Sequence, residues 1–210
     1  MSYIKVENVT KKIHKATVLE DISLEFKSGN IYGLQGINGS GKTMLMRMIL
    51  GLVHPTSGTI TINNQILGKD IEFPLDVGFL IENPAFLDRY SGFDNLKMLA
   101  GIKNKIQEDE IKKYLIEVGL NPHDKKKYKK YSLGMKQRLG LAAAMMEKPE
   151  ILILDEPTNA LDESGIEIVK RMILKQKNQG ALVIISCHDR LILEELSDKI
   201  IKLEQGRVIS

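Results

Sequence analysis

The alternation of apolar and polar positions divides the chain into three stretches. Residues 4–9 and 21–26 are short, alternating and rich in β-branched side chains, which predicts strands, with Lys27-Ser28-Gly29-Asn30 as a turn. Thr59-Ile60-Thr61-Ile62, followed by Asn63-Asn64, adds another hairpin edge. Between them Ile31-Tyr32-Gly33-Leu34 enters a glycine-rich loop, and 44–50 continue with helical spacing until Gly51. Past Pro84 the period changes: apolar residues three and four apart predict helices over 95–101, 107–118 and 136–147. After Pro149 the strands return at 151–154 and 181–185, with a helix over about 163–179 between them, a parallel β-α-β unit. The expected fold is therefore α/β. It has a mainly parallel central sheet, an antiparallel β subdomain from the amino-terminal third and a helical subdomain of about 84–147, inserted into one domain spanning 1–210.

Composition narrows the classes. The hydrophobic fraction of 43% suffices for one well-buried core. Thirty basic residues against twenty-seven acidic ones leave a formal charge of +3, too balanced to argue for nucleic acid as a partner. With 5% aromatics and no tryptophan, the chain also lacks stacking platforms for single strands. The most apolar runs, 151–154 and 181–185, fall far short of the roughly 20 residues of a membrane helix. No signal-peptide pattern opens the chain, and the single cysteine, Cys187, cannot form an internal disulfide, so a reducing cytoplasm is expected.

Gly36-Ile37-Asn38-Gly39-Ser40-Gly41-Lys42-Thr43 fits G-x-x-x-x-G-K-[ST], placed after a strand and before a helix. The chemistry needs those residue types. Backbone N–H groups of Gly36, Asn38, Gly39, Ser40 and Gly41 can wrap nucleotide phosphates only where side chains do not obstruct them, and the helix amino terminus adds partial positive charge. Lys42 brings a full charge to the outer phosphates, and the Thr43 hydroxyl can ligate Mg²⁺. Met44 is counted among the nucleotide contacts, although the methionines at 44, 46, 48, 145 and 146 read as core packing.

The strand Ile151-Leu152-Ile153-Leu154 ends in Asp155-Glu156, a rigid place from which to aim carboxylates. Asp155 would hold Mg²⁺, directly or through water, and Glu156 would polarise an attacking water as general base. Asp-Glu-Pro-Thr is turn chemistry as well, so either acid can instead cap the following turn.

Tyr131-Ser132-Leu133-Gly134-Met135-Lys136-Gln137-Arg138, shortly before the acidic strand, resembles the signature of ABC ATPases, with Leu133 and Met135 in place of the usual third and fifth residues of Leu-Ser-Gly-Gly-Gln. The resemblance covers the whole chain. Asn159-Ala160-Leu161-Asp162 looks like the loop that touches an opposing subunit, and His188 looks like the switch histidine. The resemblance implies ATP and Mg²⁺ as cofactors and a head-to-tail dimer, or paired ATPase subunit, with each nucleotide sandwiched between one phosphate loop and the opposing signature. Ser132 and the backbone at Gly134 and Met135, opening a helix, would face the γ-phosphate. His188 would hold that phosphate and position Glu156 with its water. Separate membrane-spanning permease subunits would carry the substrate, with this chain peripheral on the cytoplasmic face of the membrane.

Two positions depart from the family pattern. Glu82 follows the strand at 77–81 where most members place glutamine; as a metal ligand it keeps the acceptor oxygens, loses the amide donor and adds charge. Glutamate here, with this signature, resembles the branch that exports, or gives immunity to, bacitracin and lantibiotic-type antimicrobial peptides. Ile13 stands where the family stacks adenine on an aromatic ring, which predicts loose discrimination between ATP and GTP. The cluster at 125–130 reads as a solvated turn or as an attraction for phosphates or anionic lipid heads. The alternative function is a soluble ABC ATPase acting on a cytosolic machine.

Overall fold

A computed structural model describes residues 2–209. Strands β1 (Tyr3–Ile13) and β2 (Ala16–Lys27) form a long antiparallel hairpin that closes on the pair Ile13 and Ala16. Both run further than their alternation predicts. Register shifts interrupt the pairing, and Asn8 and Asp21 adopt left-handed backbone (φ 48 and 51), so the inward face changes parity and the apolar signal fades before the pairing does. The amino-terminal part of β1, from Ile4 to Thr10, also pairs on its other side with β4 (Ser57–Ile62), which in turn pairs with β5 (Gln65–Ile66), giving a four-stranded sheet in the order β2-β1-β4-β5.

The central sheet contains β3 (Ile31–Gln35), β6 (Val77–Leu80), β7 (Ile151–Leu154), β8 (Leu182–Ser186), β9 (Lys199–Glu204) and β10 (Arg207–Ile209). Their order is β10-β9-β3-β8-β7-β6, parallel throughout except for the β9–β10 hairpin. Strand β7 shows why such a sheet reads as one apolar run. Ile151 and Ile153 pack into a core shared with the antiparallel sheet and helix α1 (Lys42–Ile49), whereas Leu152 and Leu154 pack into a core beneath the remaining helices. All four side chains are buried because both faces are covered, and each contributes about 1.5–3 kcal/mol of hydrophobic stabilisation.

Helices α2 (Gly92–Lys103), α3 (Glu108–Glu117) and α4 (Leu133–Met145) lie between β6 and β7 in the chain; α5 (Glu163–Asn178) joins β7 to β8, and α6 (Arg190–Leu196) joins β8 to β9. Helices α2 and α4 start three residues before the periodic pattern because caps, not periodicity, set their starts. Ser91 accepts the Asp94 N–H at 3.1 Å while the Asp94 carboxylate accepts the Ser91 N–H, and Ser132 accepts the Met135 N–H at 3.2 Å. Helix α4 presses against β6 so closely that a Cβ on Gly78 would lie 1.8 Å from the Ala144 carbonyl oxygen. Only glycine permits that approach.

The register aligns the carboxyl ends of four strands. Leu80, Leu154, Ile185 and Gly33 stand in one row across β6, β7, β8 and β3. The loops leaving these strands therefore open on one edge of the sheet, the usual position of a ligand crevice in an open α/β sheet.

Candidate functional site

The loop from β3 to α1 curls around the amino terminus of the helix. Gly41, the residue before α1, takes φ 108, and a Cβ there would meet the Leu19 side chain at 2.4 Å, so β2 closes one wall of the loop. The Gly206 N–H donates to the Ser40 carbonyl at 3.1 Å, which ties the other wall to the β9–β10 turn. Lys42 donates through Nζ to the carbonyls of Gly36 (2.7 Å) and Ile37 (3.2 Å), so its ammonium lies inside the loop. Ser40 Oγ is buried and has no hydrogen-bond partner among the described residues, an orphan that a phosphate oxygen would satisfy. Asn38 and Gly39 form the exposed crest, and Met44 is half-buried against the core shared by the two sheets.

The acidic strand end meets this loop directly. Thr43 Oγ1 donates to Asp155 Oδ2 at 2.6 Å, joining the first turn of α1 to β7. The other carboxylate oxygen of Asp155 accepts from Ser186 Oγ at 2.5 Å, and Ser186 Oγ accepts in turn from the Glu156 N–H at 3.0 Å. Ser186, fully buried, thus organises both acids from the neighbouring strand. Its only sequence signal was a small hydroxyl residue closing an apolar run.

Glu156 has left-handed backbone (φ 52), uncommon for a residue with a side chain. Its carboxylate accepts the His188 N–H at 2.9 Å and lies 3.5 Å from His188 Nε2. Burial pushes the Glu156 carboxyl above its ordinary value of 4.5; the His188 N–H and side chain pull it down, Asp155 pushes it up and Lys42 pulls it down. A carboxyl held in that direction is suited to accepting a proton near neutral pH. Cys187 is buried, its Sγ stands 3.4 Å from Thr158 Oγ1, and burial raises its thiol, so it packs the strand end and does not act as a nucleophile.

Gln137 escaped the sequence reading. From the buried face of α4 its Nε2 donates to the carbonyls of Glu156 (3.1 Å) and Pro157 (3.2 Å). Arg138, next to it, donates to the Val118 carbonyl and pairs with Asp162 at 3.0 Å. Two consecutive residues of one helix thereby grip both ends of the loop after the acidic strand.

This construction can be set beside known proteins. Residues 19–159 match the model of the ABC transporter family. The chain belongs to that family. The ABC transporter ATP-binding protein YybJ of Bacillus subtilis is 49% identical over 205 residues, covering 98% of this chain and 94% of that protein. The bacitracin transport ATP-binding protein BcrA of Enterococcus faecalis is 39% identical over 98% of this chain and 68% of its own length. A solved ATP-binding subunit of an ABC transporter superposes with a TM-score of 0.89 at 26% identity, covering 99% of this chain and 88% of that one. The chain is accordingly an ABC transporter ATP-binding subunit, an ATPase with the α/β fold of such cassettes.

Within one copy of this ABC subunit the sequence-selected residues fall into two groups. Gly36 to Thr43, Asp155, Glu156 and His188 converge on one edge of the sheet. Ser132, Gly134 and Met135 sit at the start of α4, Gly134 close to the Ala160 carbonyl, and no hydrogen bond among the described residues links them to the phosphate loop. Ile13 lies at the exposed tip of the β1–β2 hairpin, six residues from the Leu19 wall of the loop. Glu82, after β6, has left-handed backbone (φ 58) and accepts from Arg47 Nη2 at 2.5 Å. No helix among the described residues is long and apolar enough to cross a membrane.

Proposed function

We propose that the chain is the ATP-hydrolysing motor of an exporter for antimicrobial peptides, working as a head-to-tail dimer beneath separate permease subunits at the cytoplasmic face of the membrane. The observation that carries this reading is the single hydrogen-bonded array from Thr43 through Asp155 and Ser186 to Glu156 and His188, which begins one residue after Lys42 of the phosphate loop. It supplies in one place a phosphate cradle, hard oxygen donors and a burial-tuned carboxylate.

Gly36 to Gly41 cradle the phosphates with backbone N–H groups, and Lys42 neutralises the outermost charge. Thr43 Oγ1 and Asp155, 2.6 Å apart, form the oxygen donor set that suits Mg²⁺, with Glu82 as a further ligand. Held by Thr43 and Asp155, Mg²⁺ would supply positive charge to offset the negative charge that develops on the phosphate. Glu156 accepts the proton of the attacking water, and His188 orients that carboxylate through its N–H. The separation of the signature from the phosphate loop within one copy supports the dimer: Ser132, Gly134 and Met135 serve the nucleotide of the other copy. Ile13 gives the base apolar contact without a π-face, consistent with turnover of both ATP and GTP.

An apolar groove of about 880 Å³, lined by Phe79, Pro84, Phe86, Met98, Leu99 and Ile102, supports a permease as the partner. It lies between β6, the loop after it and α2, within the helical segment of about 84–147, and its large side chains are unusually exposed for apolar residues. The antimicrobial cargo follows from the glutamate at position 82 together with the likeness to BcrA, a bacitracin transport protein.

Affinity capture of the tagged protein from gently solubilised membranes is the deciding experiment. Stoichiometric recovery of a protein with several membrane spans is expected; recovery of a soluble or ribosomal partner instead would leave the ATPase and overturn the transport role. In parallel, Glu156→Gln should bind ATP normally, lose turnover by about 10²- to 10⁴-fold and accumulate as a closed dimer.

A further inference from the structure

Arg47 lies on α1 four residues after Thr43, so the two side chains share one helix face, about 6 Å apart along the axis. Thr43 stands at the phosphate end of that face and Arg47 one turn further from it. Glu82 accepts from Arg47 Nη2 at 2.5 Å, with the two side chains 33% and 61% exposed. The carboxylate therefore lies along a helix face whose one end carries the guanidinium and whose other end carries the Thr43–Asp155 oxygen pair. A guanidinium and a divalent cation compete for the same carboxylate lone pairs, and such competition is strong only when the acceptor is charged. An amide at position 82 would bind Arg47 far more weakly.

We propose that Arg47 is a positioning residue that competes with the nucleotide-bound metal for the Glu82 carboxylate. The inference builds on the ATPase reading above. Metal ligation by Glu82 must first break the Arg47 pair, and the pair draws Glu82 back when the metal leaves. Glu82 is followed directly by Asn83 and Pro84 of the apolar groove, so the competition also sets where that groove wall stands. A glutamate at this position thus comes with a built-in rival for the metal, which a glutamine would lack.

The test measures the ratio of ATP-analogue affinity with Mg²⁺ to that with EDTA, using a fluorescent non-hydrolysable analogue and the full chain. Wild type must bind the analogue, or the nucleotide reading itself fails. Arg47→Met, which preserves helix propensity, should raise the ratio about three- to fivefold, the range of a partly exposed ion pair, and leave the EDTA affinity within twofold. Arg47→Lys keeps the cation and should stay within about twofold of wild type. In a Glu82→Gln background Arg47→Met should change nothing, because the competitor then has no carboxylate to hold. A ratio that is unchanged or lowered by Arg47→Met, or the same rise in the Glu82→Gln background, overturns the proposal. Melting temperatures of all variants separate a folding defect from a change in metal preference.

Discussion

Glu156 is the residue at which electrostatics and backbone geometry meet. Because burial raises its carboxyl in the fold, Glu156 binds its proton more tightly there than in the unfolded chain. Its ionisation thus costs stability, and the cost grows as pH rises from the unfolded value through the folded one. Two outcomes follow from the same sign. The acid limb of the ATP turnover profile should lie above the ordinary carboxylate value of 4.5, measured as kcat/KM against pH. Glu156→Gln should be more stable than wild type at about pH 8, with the advantage shrinking toward about pH 4, where wild type is also neutral at this site; thermal melts at the two pH values check it. Gln137 acts on the same residue from behind. Gln137→Leu fills the space but leaves the carbonyls of Glu156 and Pro157 without their buried donor, which should cost about 1–3 kcal/mol in urea denaturation. It should also lower turnover roughly tenfold through a displaced Glu156, with ATP affinity unchanged.

At the scale of elements, the functional edge depends on how helices begin. Helix α1 starts without a side-chain cap, which leaves N–H groups of its first turn free for a phosphate, whereas Ser132 caps the Met135 N–H of α4 and α2 spends its first turn on a capping box between Ser91 and Asp94. Helix α2 carries Met98, Leu99 and Ile102 of the apolar groove, so on the proposed reading its anchoring would bear on docking and not on nucleotide. Ser91→Ala should destabilise the protein by about 1 kcal/mol, measured by chemical denaturation, while ATP affinity stays as in wild type. The elements most visible in the sequence were those whose signal is local: β7, with every side chain buried, and the loop-helix pair around Lys42. The far half of the β1–β2 hairpin was not legible, because its bulges shift the alternation and its tip faces solvent. Helix α6 is only seven residues long, two apolar periods at most, and offered too little repeat to detect.

At the scale of the molecule, the central sheet separates two cores and carries the candidate nucleotide site on one edge, with the apolar groove at the outer strand β6. On the transport reading proposed above, the loop through Glu82 would link the two. Ile102→Asp places a charge in the groove at a side chain that is 76% exposed, so folding should change by less than about 0.5 kcal/mol. Recovery of the permease on affinity capture should nevertheless fall severalfold, with soluble ATPase activity retained. The sequence by itself determined the chemistry: the spacing from Gly36 to Thr43 and the apolar run ending in Asp155-Glu156 announce phosphate binding, since a backbone cradle and an acid at a strand terminus are local patterns. Only the tertiary structure decided the partners of those residues. Ser186 beneath both acids, Gln137 behind Glu156 and Arg47 across from Glu82 are brought there by strand register and helix packing, and contacts between segments tens of residues apart leave no periodic trace in a single chain.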